Sequence, residues 1–472
     1  MFKPFIIQGG MGAGVSSWRL ARAVSSAGQL GVVSGVGIDV LLARRLQDGD
    51  PDGAMRRALD RFPFRGMADR ILEKYFVPGG KAPEAPYKGV PMPSVLPDRA
   101  LIELCIVSNF IEVWLAREGH ENPVGINYLE KIQIPHLPSI YGAMLAGVAV
   151  VLMGAGIATR IPGVLDSLAA NQPASYELAV TGGDSAVPVH VRFDPSEFAE
   201  ELPTLQRPYF LSIISSNVLA TTMLRRSNGK VDGFVIEGST AGGHNAPPRG
   251  ALQLDAAGQP EYGPKDAVDL AKIRELGVPF WLAGGQGTRR ALEEALEAGA
   301  AGIQVGTAFA FCEESGLEAS KRDALLEKAE SHQASVFTDP HASPTGFPFK
   351  VARLEGTLSE TEVYEARTRV CDLGFLRELY LKEDGAVGYR CPAEPVATYV
   401  AKGGDPEKTV GRKCLCNALL ANVGHPQHRK DGRFEPTLIT AGDDLSDIAR
   451  FLRPGRSSFS AKDVIDQLLA LA

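Results

Sequence analysis

The stretch FWLAGGQGTRRALEEALEAGAAGIQVGTAF, residues 280–309, decides the fold. It opens on an apolar strand with no in–out alternation (Phe280–Ala283), turns through Gly284-Gly285-Gln286-Gly287, runs on as an amphipathic helix (Thr288–Ala298) and ends in a second apolar strand (Ala301–Gly306). Strands of that kind are buried on both faces, as parallel strands covered by helices are. Moving upstream, the same unit recurs. Helix Lys265–Leu276 precedes it, with strand Gly233–Glu237, helix Val218–Arg226 and strand Phe210–Ser215 before that. Strands are also expected at Phe5–Gln8, Leu30–Ser34, Val124–Leu129, Ala149–Met153 and Val187–Phe193, and helices at Ser17–Ala27, at Asp39–Leu46, from Ser139 and from about Pro162. About eight such strands predict a closed (β/α)8 TIM barrel of class α/β.

Two segments fall outside the rhythm, so the expected organisation is a barrel over 1–50 and 122–315, a helical insertion over 51–121 and a C-terminal extension over 316–472. The insertion reads as a helical stretch (Met55–Tyr75), a proline-rich segment (Gly79–Asp98) and a second helical stretch (Ala100–Arg117), covering one end near the barrel mouth. The extension, with helices at Glu318–Ser331 and Ala461–Leu471, reads as a capping or partner-binding subdomain with long irregular stretches between.

Composition narrows the function classes. Of 472 residues, 44% are hydrophobic and 22% charged, ordinary for a globular chain and unlike a disordered one. The net charge is −7 with no long block of like charge, so nucleic acid is not an expected partner. Six cysteines are too few for a disulfide scaffold, and the N-terminus lacks a signal-peptide core, which together predict a cytoplasmic location. Residues 138–159 are uncharged over 22 positions, long enough for a bilayer; Gly147 and the β-branched run after it favour a buried helix followed by a buried strand instead.

In this fold the chemistry sits on loops that follow strands. Those loops begin with Gly9-Gly10-Met11, Asn127, Gly154-Ala155-Gly156, Ser215-Ser216-Asn217, the run from Glu237 to His244, Gly284-Gly285 and Gly306-Thr307. Glycines after the first strand let a flat ligand meet bare backbone. The last two loops are neighbours, and glycine-rich turns into helices expose N–H groups that bind phosphate. Tight turns alone would also use such glycines. His244, after Gly242-Gly243, is the leading acid–base candidate. His136 is a second residue that could line the mouth, whereas His190 reads as structural. There is no G-x-G-x-x-G, Walker A, G-x-S-x-G or H-E-x-x-H motif, which disfavours a Rossmann reading. Cys371, Cys391, Cys414 and Cys416 invite a four-thiolate metal site, but their spacing lacks C-x2-C pairs and free buried thiols are the preferred reading.

The set IIQGGM (6–11), GIN (125–127), VIEGSTAGGH (235–244), WLAGGQGT (281–288) and IQVGTAF (303–309) resembles the nitronate monooxygenase (2-nitropropane dioxygenase) family of FMN-dependent barrels. Their superfamily includes flavin-dependent enoyl-acyl-carrier-protein reductases. The resemblance implies FMN with its phosphate on Gly284, Gly285, Gly306 and Thr307 and its ring over Gly9, Gly10 and Met11. It also places Asn127 in hydrogen-bonding reach, counts Gly243 among the contacts, and makes His244 the base toward a nitroalkane or the contact to a nitronate. The expected partners are a small-molecule substrate, nitronate or enoyl thioester, and dioxygen or NAD(P)H; an acyl carrier protein and a homodimer are further expectations. No membrane partner is expected. Asn-Ala-Pro-Pro-Arg after His244 and the long loop to Tyr262 are closer to the stand-alone enoyl reductases, and the insertion and extension have no counterpart in the short enzymes. Two alternatives stay open: an FMN enoyl-thioester reductase using NAD(P)H, and a flavin- or carrier-binding partner within an assembly.

Overall fold

The computed structural model describes residues 3–182 and 188–470. Eight parallel strands form one sheet: β1 (Ile6–Gln8), β2 (Gly31–Ser34), β3 (Val124–Leu129), β4 (Val150–Gly154), β5 (Tyr209–Ile214), β6 (Gly233–Glu237), β7 (Phe280–Ala283) and β8 (Gly302–Val305). From β2 to β8 each pairs with its sequence neighbour, and β8 returns to β1 with Ile6 opposite Ile303. The seam between β1 and β2 closes through Leu30 N–H to the Ile6 carbonyl (3.1 Å) and Gln8 N–H to the Leu30 carbonyl (2.9 Å). The (β/α)8 barrel is thereby established.

Its interior is plugged by Ile7, Val32, Leu152, Leu211, Val235 and Trp281, a cluster separate from the larger layer between strands and helices. Trp281 is 1% exposed, and its indole N–H donates to the Pro4 carbonyl (2.8 Å), so the plug is anchored to the chain entering β1. With the barrel centre filled, a ligand is left only the mouth at the strand C-terminal ends.

Several expected elements are corrected. Val187 lies outside the described residues; His190–Phe193 is a strand, but it pairs antiparallel with Ala174–Glu177 outside the barrel. Its burial alternates, with His190 and Arg192 exposed and Val191 and Phe193 buried, as in a strand covered on one face. Met55–Tyr75 is two helices, Ala54–Leu59 and Arg65–Tyr75, parted at Pro63, which has no N–H to continue the first. Lys265–Leu276 shortens to a helix at Leu270–Glu275, capped by the Asp269 side chain on Lys272 N–H (3.2 Å). Residues 138–159 contain the end of helix His136–Leu145 and then β4. Among the described residues no helix is long and apolar enough to cross a membrane.

Helix Arg99–Arg117, the last part of the insertion, packs lengthwise on helices His136–Leu145, Trp18–Ser26 and Ile38–Gln47. Its Asn109 accepts from the buried Tyr128 hydroxyl of β3 (2.8 Å), and its Glu112 accepts from Trp18 N–H (3.0 Å). It therefore sits on the barrel wall. The extension is richer in structure than expected, with hairpins Val336–Asp339/Phe349–Ala352 and Glu378–Leu381/Val387–Arg390 and a helix at Leu415–Ala421.

Candidate functional site

The loop after β1 is held by two fully buried polar side chains. Gln8 donates to Ser16 Oγ (2.8 Å) and accepts from Val32 N–H (3.0 Å), while Ser16 Oγ donates to the Gly9 carbonyl (2.9 Å) and accepts from Met11 N–H (2.9 Å). The backbone of Gly9-Gly10-Met11 is thus fixed without any large side chain over it. A Cβ at Gly10 would lie 2.4 Å from Asn127 Cβ, so glycine is what permits this loop to lie against the end of β3.

Across the mouth, Gly284 and Gly285 turn the chain with φ +90° and +64°. Among the described residues the N–H groups of Gly285, Gln286 and Gly287 make no hydrogen bond within the chain. The following helix, Arg289–Glu297, is capped by Thr288 Oγ1 accepting from Ala291 N–H (3.1 Å). Beside it, Gly306 and Thr307 follow β8. One cavity of about 210 Å³ joins these loops, and all ten residues proposed from the sequence line it: Gly9, Gly10, Met11, Asn127, Gly243, His244, Gly284, Gly285, Gly306 and Thr307. The buried Oε1 of Gln304, on the same wall, has no partner. Backbone donors, bare glycine faces and an orphaned acceptor in one space fit a flat, phosphorylated ligand.

His244 is half-buried. Its Nε2 is 2.7 Å from Ser343 Oγ, and its ring meets Phe349 edge-on at 4.9 Å between centroids. Desolvation, with the Lys131 charge second, lowers its pKa to about 4, so the imidazole is neutral at neutral pH. Glu237, at the end of β6, is pushed by burial up to about 8 and is therefore largely protonated at pH 7. Its mouth position was legible, but its burial was not. His136 stands elsewhere: 3% exposed, with Nε2 2.9 Å from the Leu129 carbonyl and Nδ1 3.1 Å from the Tyr176 hydroxyl, it lies outside this cavity. His190 is exposed.

What sequence reasoning missed is the extension. Ile439, Thr440, Ala441, Gly442 and Asp444 form part of the cavity wall. Gly442 N–H donates to Thr307 Oγ1 (3.0 Å), Asp443 N–H to the Thr240 carbonyl (3.0 Å) and Gly243 N–H to Thr440 Oγ1 (2.8 Å). The buried Lys350 ammonium donates to Thr338 Oγ1 (2.9 Å) and Asp443 Oδ1 (2.6 Å), tying the first hairpin to this strap. The Thr307 hydroxyl is thereby engaged within the chain. Asp444 adds one acid beside these loops; burial shifts its carboxyl up, toward the neutral form that repels an anion less. Among the described residues no three His, Cys, Asp or Glu side chains are set to chelate one metal ion.

Residues 188–341 match the family model described as Nitronate monooxygenase, which bears out the resemblance read from the motifs. A nitronate monooxygenase of Pseudomonas aeruginosa is 36% identical over 121 residues, 25% of this chain and 32% of that protein. A probable nitronate monooxygenase of Bacillus subtilis is 33% identical over 130 residues, 27% of this chain and 35% of that protein. The chain thus spans about a third of the length of these curated relatives. Among solved structures, FabK from Thermotoga maritima superposes with a TM-score of 0.48 at 16% identity, covering 99% of this chain and 92% of that one.

Proposed function

We propose that this chain is an FMN-dependent oxidoreductase of the nitronate monooxygenase type, taking alkyl nitronates, or nitroalkanes it deprotonates itself, with dioxygen as co-substrate. The observation that carries this reading is the meeting, in one cavity, of a neutral histidine with two glycine loops, one of which presents the N–H groups of Gly285, Gln286 and Gly287 without a partner among the described residues. The family match over the segment holding His244 supports it.

In this reading the backbones of Gly284, Gly285, Gly306 and Thr307 would hold the FMN phosphate. Gly9, Gly10 and Met11 would carry the ring, with Asn127 and Gly243 in contact. When bound, the flavin supplies the two-electron redox chemistry. The chain's own work is done by its side chains. His244, neutral and steadied at Nε2 by Ser343, takes the proton α to the nitro group or contacts the nitronate oxygen. Glu237 in its protonated form offers an O–H to the anionic substrate where a carboxylate would repel it. The extension's strap shields the site from water. Six unpaired thiols support a reducing, cytoplasmic setting.

Glu237 gives a test with a worked sign. As pH rises through about 8 its carboxylate forms and nitronate affinity falls. Glu237→Gln, neutral at every pH, is expected to change turnover at pH 7 by less than about tenfold and to remove that alkaline decline in kcat/KM. An alkaline limb that persists in the variant assigns the titration to another group.

A second reading has one observation in its favour. A side cavity of about 450 Å³, lined by Glu237, Ser239, Arg249 and Tyr262, adjoins the mouth and offers room for more than a small nitronate, as an enoyl-thioester reductase using NAD(P)H needs. Anaerobic mixing separates the two. Flavin bleaching by propionate 3-nitronate and none by NAD(P)H is the expected result, and the reverse pattern overturns the monooxygenase reading.

A further inference from the structure

Beside the mouth cavity lies a second, apolar space of about 30 Å³, and Val36, Leu129, His244 and Leu419 line both. Those four residues are its threshold. Behind them stand Ala13 and Ile132, from the loops after β1 and β3, and Phe375, Leu376, Leu415 and Leu420 from the extension. Leu415 and Leu420 are buried, and the helix Leu415–Ala421 that carries them is pinned at its end by Asn422. The Asn422 amide donates to the Leu438 carbonyl (2.6 Å) and accepts from Leu438 N–H (3.0 Å), so this wall is fixed by the fold. The extension's share of the wall lies wholly beyond residue 341, where the family match ends.

The chemistry of the recess is one-sided. Among the described residues no charged side chain lines it, and the His244 ring at its threshold is neutral at neutral pH. The Lys131 ammonium, whose charge reaches His244, lies over the Phe347 ring (5.1 Å) and is absent from this wall. Water is held poorly in such a space, because it needs about two to four polar partners there. An alkyl group needs none, and each methylene it buries is worth about fourfold in affinity. A space of about 30 Å³ is about two to three times the minimum for one water-sized group, so it takes about two or three carbons. A chain leaving a carbon held at His244 would pass Leu129 and Leu419 and enter it directly.

We propose that this recess is a chain-binding subsite, which takes the apolar alkyl tail of a substrate whose planar anionic head stays in the mouth cavity. The inference rests on the nitronate reading of the same site and deepens it: the substrates are nitronates with an uncharged tail of about two or three carbons beyond the reacting one. Leu419, the extension's residue on the threshold, sets the usable length. A larger side chain there shortens the space and a smaller one lengthens it.

The test is isothermal calorimetry of the full-length protein, with FMN present, against straight-chain carboxylates from acetate to hexanoate, planar anions that mimic the nitronate head without reacting. Kd is expected to fall about fourfold for each of about two or three added methylenes and then to level off. Glutarate, which is pentanoate with a second carboxylate at the tail, should bind at least about tenfold more weakly than pentanoate. Leu419→Phe is expected to cut the preference for pentanoate over acetate at least about fivefold. Should that variant fail to fold, Leu419→Ala takes its place and should carry the tightening on to a longer chain. A Kd that is flat along the series, no binding by any member, glutarate as tight as pentanoate, or a preference unmoved in a folded Leu419 variant each overturns the proposal. Turnover separates it from the reading beneath it. Tightening with chain length in a protein that oxidises no nitronate keeps the subsite and removes the nitronate reading, whereas nitronate oxidation with a flat series does the reverse.

Discussion

Replacing His244 with alanine is expected to lower turnover of a primary nitroalkane by about two to four orders of magnitude, the usual worth of a positioned base, while flavin content stays at the wild-type level. The two effects separate because the imidazole and the backbone loops are independent parts of the cavity. The alanine variant removes the ring but leaves the main-chain bonds that fix its loop, Gly243 N–H to Thr440 Oγ1 (2.8 Å) and Lys350 N–H to the Gly243 carbonyl (2.9 Å). The pH profile sharpens the test. Burial beside Phe349, with Lys131 adding to it, holds the His244 pKa at about 4, so the basic form is lost only as pH falls through about 4. In the wild type this group should contribute an acid limb to kcat/KM near 4 and none near the ordinary histidine value of about 6.5. Unchanged turnover in the alanine variant would move the proton transfer elsewhere, with Glu237 the next group on the wall.

Gly285→Ala is expected to weaken FMN binding by about 10- to 100-fold with the fold retained. Gly285 has φ +64°, where an L-residue costs about 1–2 kcal/mol, and its added Cβ would sit 3.3 Å from Thr240 Oγ1, on the face where free N–H groups open into the cavity. Gly284→Ala would be a poorer probe, since its Cβ meets Thr240 Oγ1 at 2.9 Å and the backbone of Ala241 at 3.1 Å, endangering the loop itself. Gly258→Ala is the control: φ is +85° there, nothing lies within 4 Å of the new Cβ, and it is absent from the cavity wall. If strain alone mattered, both variants would lose flavin equally. Equilibrium dialysis or fluorescence titration with FMN measures the difference, and full flavin occupancy in Gly285→Ala contradicts the phosphate assignment.

Much of the mouth was legible because a (β/α)8 barrel sends every loop that follows a strand to one end. Reading the residues after β1, β3, β6, β7 and β8 therefore named groups far apart in the chain that share one cavity. His136 misled for the complementary reason: it also follows a strand, but it opens a helix turned into the outer layer, where Leu129 and Tyr176 consume both ring nitrogens. His190–Phe193 was counted with the barrel strands although its exposed–buried alternation marks a strand covered on one face.

Local pattern determined the barrel, its order of strands and the glycine and histidine chemistry at its mouth, since continuous apolar strands and bare turns are properties of neighbouring residues. Tertiary structure alone decided which distant segments complete the site. Thr440 and Gly442 reach the loops of β6 and β8 through hydrogen bonds that involve their own backbone or hydroxyl groups, which no motif encodes. The protonation of His244 and Glu237 follows from burial by the surrounding chain. Desolvation and convergence depend on three-dimensional surroundings, and a one-dimensional pattern carries no record of them.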